Sequence, residues 1–381
     1  MILWPRRCQL HTASLRMNMG RLMAMQKLPL DQIAPLVDGA LGLIAREDSL
    51  QPIRLPPEDL PLHHPEMRSP MTALSPAGVR LRFKSDTDRI SLIVEHEPIA
   101  LLTPDMPLPP CVYDLVTPEG RILRSKPDDA AGPTHIDFQG LGCDEKLLEI
   151  WLPQGTAVRI RGLEIAQGAS IKPAPDDRPH WVTYGSSITH CAWVDGPTDT
   201  WPSIAARRLD WRLTSLGFNG ACHLDPLVAR AMAGLPANRF TLKLGINVHN
   251  LQTLRERTFA PLVHGFIATL RERHPTTPIT VISPIFSPGR EDCAVTDIPT
   301  YFGGAPLVGD LTLNDMRQRL AEVVELHRAR GDHAIDYLDG RALFGEADAD
   351  LLPDGLHPSP AGYALMGERF ASAFKEAQHR K

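Results

Sequence analysis

Two periodicities divide the chain. In the first half apolar and polar residues alternate: Val79, Leu81 and Phe83 are interleaved with Arg80, Arg82 and Lys84. A period of two buries one face of a strand and wets the other. Ile90, Leu92 and Val94 repeat the pattern after the polar turn Ser85-Asp86-Thr87-Asp88. Val112 to Val116 and Arg121 to Leu123, joined through Pro118-Glu119-Gly120, predict a hairpin. Leu147 to Leu152 and Val158 to Ile165 supply two more short strands around Pro153-Gln154-Gly155. Many short strands with turns between them predict an all-β, jelly-roll-like sandwich over residues 29–172. Ile33, Leu36, Val37 and Leu41 stand at helical spacing instead, which predicts a helix over Leu30 to Ala45, packed into the core or bracing the two domains.

The texture changes after Lys172-Pro173-Ala174-Pro175-Asp176-Asp177-Arg178-Pro179, a polar, proline-rich stretch of the kind that separates domains. Apolar strands are predicted at Trp181 to Tyr184, Arg212 to Leu216, Phe240 to Leu244, Ile279 to Ser283 and Ile335 to Leu338. Between and after them come helical patterns at Ser203 to Leu209, Pro226 to Ala233, Leu254 to Arg273, Thr312 to Arg330 and Ala361 to Phe374. Strand–helix alternation calls for a parallel sheet covered on both faces, here over residues 180–381.

Bulk properties narrow the function classes. A formal charge of −5 over 381 residues argues against a nucleic-acid or anionic-membrane partner. No stretch approaches the ~20 apolar residues that span a bilayer. The six cysteines are scattered, without a CxxC pair, and are read as reduced thiols. With no signal-peptide-like apolar run behind Arg6-Arg7, the expected location is cytoplasmic. Residues 1–28, with Met17, Met19, Met23 and Met25 amid polar residues, show no core pattern and are expected to form a leader, unless the true start lies downstream.

Candidate chemistry collects at the carboxyl ends of the predicted parallel strands, where such sheets place their ligands. Tyr184-Gly185-Ser186-Ser187 follows the first strand, and a serine on a tight strand-to-helix turn presents its hydroxyl outward. Gly217-Phe218-Asn219-Gly220 follows the second, where a glycine lets a backbone N–H face a reaction centre. Leu244-Gly245-Ile246-Asn247 follows the third, and an asparagine amide there can donate to a developing oxyanion. Asp354 and His357 sit three residues apart on the loop before the closing helix, close enough for the carboxylate to orient the imidazole. Each motif alone is common.

Together, in this order, the four resemble the blocks GDS, Gly, GxND and DxxH of the GDSL (SGNH) hydrolases. The resemblance covers roughly residues 180 to 375. It implies a flavodoxin-like three-layer α/β/α catalytic domain with Ser187 as nucleophile, and with Asp354 and His357 completing the triad. It also implies an oxyanion hole from the Ser187 N–H, the Gly220 N–H and the Asn247 side chain. No metal or cofactor is required. Ser186 stands where the family has Asp, and Val248 replaces the Asp after Asn. Neither is a triad or oxyanion position. The stretches around Gly220 and Asn247 resemble a two-domain subgroup in which a β-sandwich precedes the catalytic domain, and which includes acyltransferases of polyketide tailoring.

Cys222, His223 and Arg290 are expected near the substrate. Cys222-His223 with His249 lack any repeated zinc-type spacing. Trp193, Trp201 and Tyr301 are candidates for an acyl or acceptor pocket, with core packing as the alternative. The expected activity is hydrolysis of a small ester, such as an acylated sugar or metabolite. Acyl transfer to an alcohol is the alternative within the same machinery. A catalytically inert carbohydrate-binding protein is the alternative outside it.

Overall fold

The computed structural model describes residues 24–99, 107–127, 132–295 and 308–379. In chain order its first strands are β1 (Met25–Leu28), β2 (Val37–Asp38), β3 (Gly42–Arg46), β4 (Ser49–Ile53), β5 (Arg80–Ser85) and β6 (Arg89–His96). There follow β7 (Tyr113–Val116), β8 (Ile122–Ser125), β9 (Thr134–Gln139), β10 (Lys146–Trp151), β11 (Val158–Ala166) and β12 (Ile171–Pro173). They pair antiparallel into two sheets, β3-β4-β11-β6-β9 with β1 on β11, and β12-β5-β10-β7-β8 with β2 on β5. Inward residues of both sheets, among them Leu92, Val94, Phe138 and Ile160 from one and Leu81, Phe83, Leu115 and Ile150 from the other, form one apolar cluster. In β9 the alternation is complete, with Thr134, Ile136 and Phe138 buried and His135, Asp137 and Gln139 exposed.

Two expectations for this half change. The helix over Leu30 to Ala45 is a single turn, Leu30–Ile33, followed by a 3-10 turn at Ala34–Leu36 and then by β2 and β3. Ile33 and Leu36 are buried as the spacing demanded. Pro35 cannot donate within a helix, and Gly39 takes a φ of +86° that turns the chain. The leader expected over 1–28 contributes Met25–Leu28 as β1, paired with β11; residues 1–23 lie outside the described residues.

The second half is a parallel sheet of β13 (His180–Gly185), β14 (Arg212–Gly217), β15 (Arg239–Lys243), β16 (Ile279–Ile282) and β17 (Ile335–Leu338). Its order is β14-β13-β15-β16-β17, the doubly wound arrangement with a switch point beside the first strand. Helices α1 (Ser187–His190), α2 (Trp201–Leu209), α3 (Pro226–Ala233), α4 (Ile246–Leu251), α5 (Glu256–Arg273), α6 (Leu313–Ala329) and α7 (Pro360–His379) connect and cover it. Trp181 packs against Trp201, Trp211 and Phe370 on one face, while Tyr184 stacks on Phe266 on the other. Every residue of β13 is buried, as a central parallel strand requires. Together these features make an α/β/α domain preceded by a β-sandwich.

The seam between the halves is built by charge as well as apolar contact. Ile53 at the end of β4, with Leu55, Leu60, Met67 and Ala73 between β4 and β5, belongs to the core cluster of the parallel-sheet half. β14 is an edge strand, and its outward carbonyls at Leu213, Ser215 and Gly217 accept from two buried arginines of the first half. Arg80 donates to Leu213 O at 3.1 Å, and Arg54 to Ser215 O at 3.2 Å and Gly217 O at 2.5 Å. The alternation in β5 therefore does not wet Arg80, which is fully buried and paired with Asp38 and Asp176. Asp38 also binds Arg212 of β14 at 2.6 Å, and Asp176, in the proline-rich stretch, binds Arg178 at 2.5 Å.

Candidate active site

The carboxyl ends of β13, β14 and β15 converge because their strands pair in register, Gly185 facing Gly217 on one side and Lys243 on the other. The chain turns from β13 directly into α1, with the Ser186 hydroxyl accepting from the Ile188 N–H at 3.3 Å as its cap. Ser187 is thus the first helical residue, where N–H groups lack intrahelical partners. α1 lasts one turn and stops at Cys191 in the left-handed region, φ 58°. A Cβ at Gly217 would lie 2.4 Å from the His190 N, so only glycine lets α1 rest on the end of β14.

The loop ahead of α7 brings the other two residues to the serine. Ser187 Oγ lies 2.8 Å from His357 Nε2, and His357 Nδ1 lies 2.7 Å from Asp354 Oδ2. The second Asp354 oxygen accepts the N–H groups of Leu356 and His357, at 2.9 and 2.7 Å. Burial pushes the Asp354 carboxyl up, but the hydrogen bonds from the His357 ring and these N–H groups outweigh it and hold it well below the usual carboxylate range. The carboxylate therefore stays ionised and fixes Nδ1 as the protonated nitrogen, which leaves Nε2 to accept from Ser187.

The loop carrying Asp354 is itself tied down. Gly355 O accepts from Ser287 Oγ at 2.7 Å and from Arg290 Nη1 at 3.2 Å. Glu291 accepts the Ser287 N–H at 3.0 Å and pairs with the buried Arg317. Arg290, expected beside the substrate, is placed here with its guanidinium on the Asp354 loop.

Asn247 is the second residue of the short helix α4. Its Oδ1 accepts from the Cys222 N–H at 3.1 Å, leaving the amide NH₂ as the free donating end. His223 braces the same loop: its Nε2–H donates to Gly220 O at 2.9 Å, and its Nδ1 accepts from Thr253 Oγ1 at 2.8 Å. Burial lowers the pKa of His223, in keeping with this neutral tautomer. Cys222 is buried and its thiol is pushed up to about 12. His249 bonds to Cys293 O instead, and no group of three potential metal ligands occurs among the described residues. Trp201 is a core residue, whereas Trp193 stands beside His357 with ring centroids 6.5 Å apart; Tyr301 lies outside the described residues.

Three residues with no sequence signal support this site from the first half. Arg54, fully buried, donates to Thr72 O, Ser75 O, Ser215 O and Gly217 O and to the ring of His190. No carboxylate pairs with it among the described residues, and burial lowers its pKa to about 9, so it is still charged at neutral pH. His190 is pushed down to about 3 by burial and by Arg54. Its neutral ring meets Gln154 O through Nε2 at 2.6 Å, and both Gly217 O, at 2.9 Å, and Arg54 through Nδ1. Gln154 spans the seam, and Glu66 Oε1 stands 3.1 Å from where a Cβ on Gly220 would lie. A separate cavity lined by His180, Trp181, Trp211 and Asn238 opens at the amino ends of the strands, the wrong end of the sheet for this chemistry.

A serine hydroxyl aligned with a histidine and a carboxylate at the carboxyl edge of a doubly wound sheet defines a serine hydrolase acting on esters. Residues 183–365 match the GDSL-like lipase/acylhydrolase family, and the domain they form belongs to it. Over most of its length the chain is similar to the salicylyl-acyltransferase SsfX3 from a tetracycline biosynthetic pathway. The two share 29% identity and a TM-score of 0.77, covering 90% of this chain and 94% of that one. A GDSL-like lipase from Bacteroides ovatus ATCC 8483 shares the fold at 19% identity and a TM-score of 0.72, over 93% and 98% of the two chains. So does a family two carbohydrate esterase from Cellvibrio japonicus, at 13% identity and a TM-score of 0.59, over 93% and 98%. No curated protein matches the chain by sequence. Among the described residues no helix is long and apolar enough to cross a membrane.

Proposed function

We propose that the protein cleaves a small ester through an acyl-enzyme on Ser187. The observation that carries this reading is the unbroken line Ser187 Oγ–His357–Asp354, at 2.8 and 2.7 Å. His357 Nε2 takes the Ser187 proton as Oγ attacks the carbonyl carbon. The oxyanion is held by the N–H groups of Ser187 and Gly220 and by the Asn247 amide, whose orientation the Cys222 N–H secures. As the intermediate collapses, His357 gives its proton to the departing alcohol. Water then attacks the acyl carbon as it loses a proton to Nε2, and Nε2 returns that proton to Ser187 Oγ as the acid leaves.

A second reading replaces water with an alcohol acceptor. Likeness to SsfX3, a salicylyl-acyltransferase, favours it, because 90% of this chain, taking in both halves, is covered. In either case Ser187→Ala should abolish labelling by a fluorophosphonate and turnover of p-nitrophenyl acetate. Labelling that survives in that variant removes Ser187 as the nucleophile. A folded, fluorophosphonate-inert wild type that bound sugars tightly would instead support an inert binding protein.

A further inference from the structure

We propose that Trp193, with Pro107 and Leu108, forms the subsite for the alcohol portion of the substrate, and that this portion is apolar and flat, an aromatic alcohol rather than a sugar. The inference rests on the acyl-enzyme reading above. In that mechanism the proton on His357 Nε2 passes to the leaving oxygen, and in the reverse sense the entering alcohol gives its proton to the same nitrogen. The alcohol must therefore lie on the His357 side of the carbonyl. Trp193 is the aromatic side chain found there, its ring 6.5 Å from that of His357 and tilted by 48°.

Trp193 is held as a platform. Gln154, fully buried, donates to the carbonyls on both sides of it, Ala192 O and Val194 O, each at 3.2 Å. The indole N–H donates to Pro107 O at 3.0 Å. The ring is only half-buried, yet its one polar atom is already used, so what it offers a ligand is its apolar surface. Leu108 follows directly and is 62% exposed, one of the few large apolar side chains left open to solvent among the described residues. Pro107, Leu108 and Pro109 bring no side-chain donor or acceptor. A sugar stacks on tryptophan too, but it needs partners for its hydroxyls, and the hydroxyls would be stripped of water against this wall.

The test compares acetates that share an acyl group and have unactivated leaving alcohols: benzyl acetate, 2-methoxyethyl acetate and a methyl glucoside 6-acetate. The wild type should favour benzyl acetate in kcat/KM by about tenfold or more, as a hydrophobic pocket discriminates. Trp193→Ala should collapse that ratio to near one, Trp193→Phe should keep most of it, and Leu108→Ser, a change at an exposed position, should lower it several-fold. The alcohols are also compared as protectants of Ser187 against a fluorophosphonate, which needs no turnover. Benzyl alcohol should protect at about a tenfold lower concentration than 2-methoxyethanol. Equal handling of the benzyl and methoxyethyl pair, a preference for the sugar acetate, or a benzyl preference that survives both Trp193→Ala and Leu108→Ser overturns the proposal. Turnover retained by Ser187→Ala would overturn the acyl-enzyme reading itself, a different and separable result.

Discussion

Arg54→Met is the sharpest single test of how the two halves cooperate. Methionine matches the length of the arginine stem but removes every donor. The carbonyls of Thr72, Ser75, Ser215 and Gly217 and Nδ1 of His190 would be left facing an apolar side chain in a fully buried site. Each stranded acceptor costs about 1–3 kcal/mol. Against that stands the relief of no longer burying an unpaired guanidinium, which amounts to several kcal/mol. The net loss should resemble that of breaking a buried charged assembly, about 3–5 kcal/mol. For a chain of 381 residues that is a fall in Tm of roughly 4–6 °C, at about 1.2 °C per kcal/mol. Differential scanning calorimetry reads it directly. Arg54→Lys should recover less than half of the loss, because one ammonium cannot reach acceptors arrayed around a planar fork. Because Gly217 O and the Phe218 ring, 5.1 Å from the guanidinium, sit at the root of the Gly220 loop, kcat should fall even at temperatures where the variant remains folded. A Tm within about 2 °C of wild type would refute the accounting, since it would mean that water or relaxation serves those carbonyls equally well.

Two further outcomes follow from the same geometry. His190 and His180, pushed down to about 3 and about 4 chiefly by burial, are neutral in the folded protein but protonate in the unfolded chain below about pH 6.5. The unfolded state then holds more protons, so stability is present above that value and is lost on acidification, by about 1.4 kcal/mol per pH unit for each ring. Denaturant melts at pH 6.5 and pH 5 should differ by about 2 kcal/mol less in His190→Asn than in wild type, and identical slopes would contradict the burial of a neutral ring. Among the site residues, Asn247→Ala should lower kcat by about 10²–10³ and Asp354→Asn by about 10²–10⁴, both with small changes in KM. A loss under about tenfold for either, measured on p-nitrophenyl acetate, would remove it from its role.

The parallel-sheet half was legible because its physics is local. Strands buried on both faces appear as apolar runs, and candidate chemistry falls at their carboxyl ends, but each motif is common, and the roles of Ser187, Asn247, Asp354 and His357 come from the joint resemblance of the four blocks to the GDSL hydrolases. The one-turn helix α1 and the short α4 were too brief to carry a period. The first half was readable as strands but not in its exceptions. Ile33, Leu36 and Val37 have helical spacing, yet Pro35 and Gly39 decide the local backbone. Arg80 occupies a position that alternation assigns to solvent, and its partners Asp38 and Asp176 and the Leu213 carbonyl, 133 residues away, explain its burial. Arg54 and Gln154 likewise act across the seam, where a one-dimensional pattern has nothing to register. The roles proposed for Cys222, His223 and Arg290 rested on proximity in sequence. In the structure the Cys222 N–H holds Asn247, while the side chains of His223 and Arg290 brace loops through Gly220 and Gly355.

The two arginines laid along β14 also bear on what the exposed edge of this sheet would otherwise do. An unpaired strand edge is a template onto which another chain can add, and proteins usually blunt it with bulges, prolines or outward charge. Here the edge is occupied by guanidinium groups, which accept no hydrogen bond and so cannot pass the ladder onward. A fragment beginning near residue 180 would carry the whole candidate triad and yet expose Leu213, Ser215 and Gly217 as an open row, beside apolar surface that Ile53, Leu60 and Met67 normally cover. Such a fragment should precipitate or form β-rich oligomers. The β-sandwich thus serves its neighbour as a built-in chaperone, which gives the two halves a reason to be inherited together that is independent of any substrate.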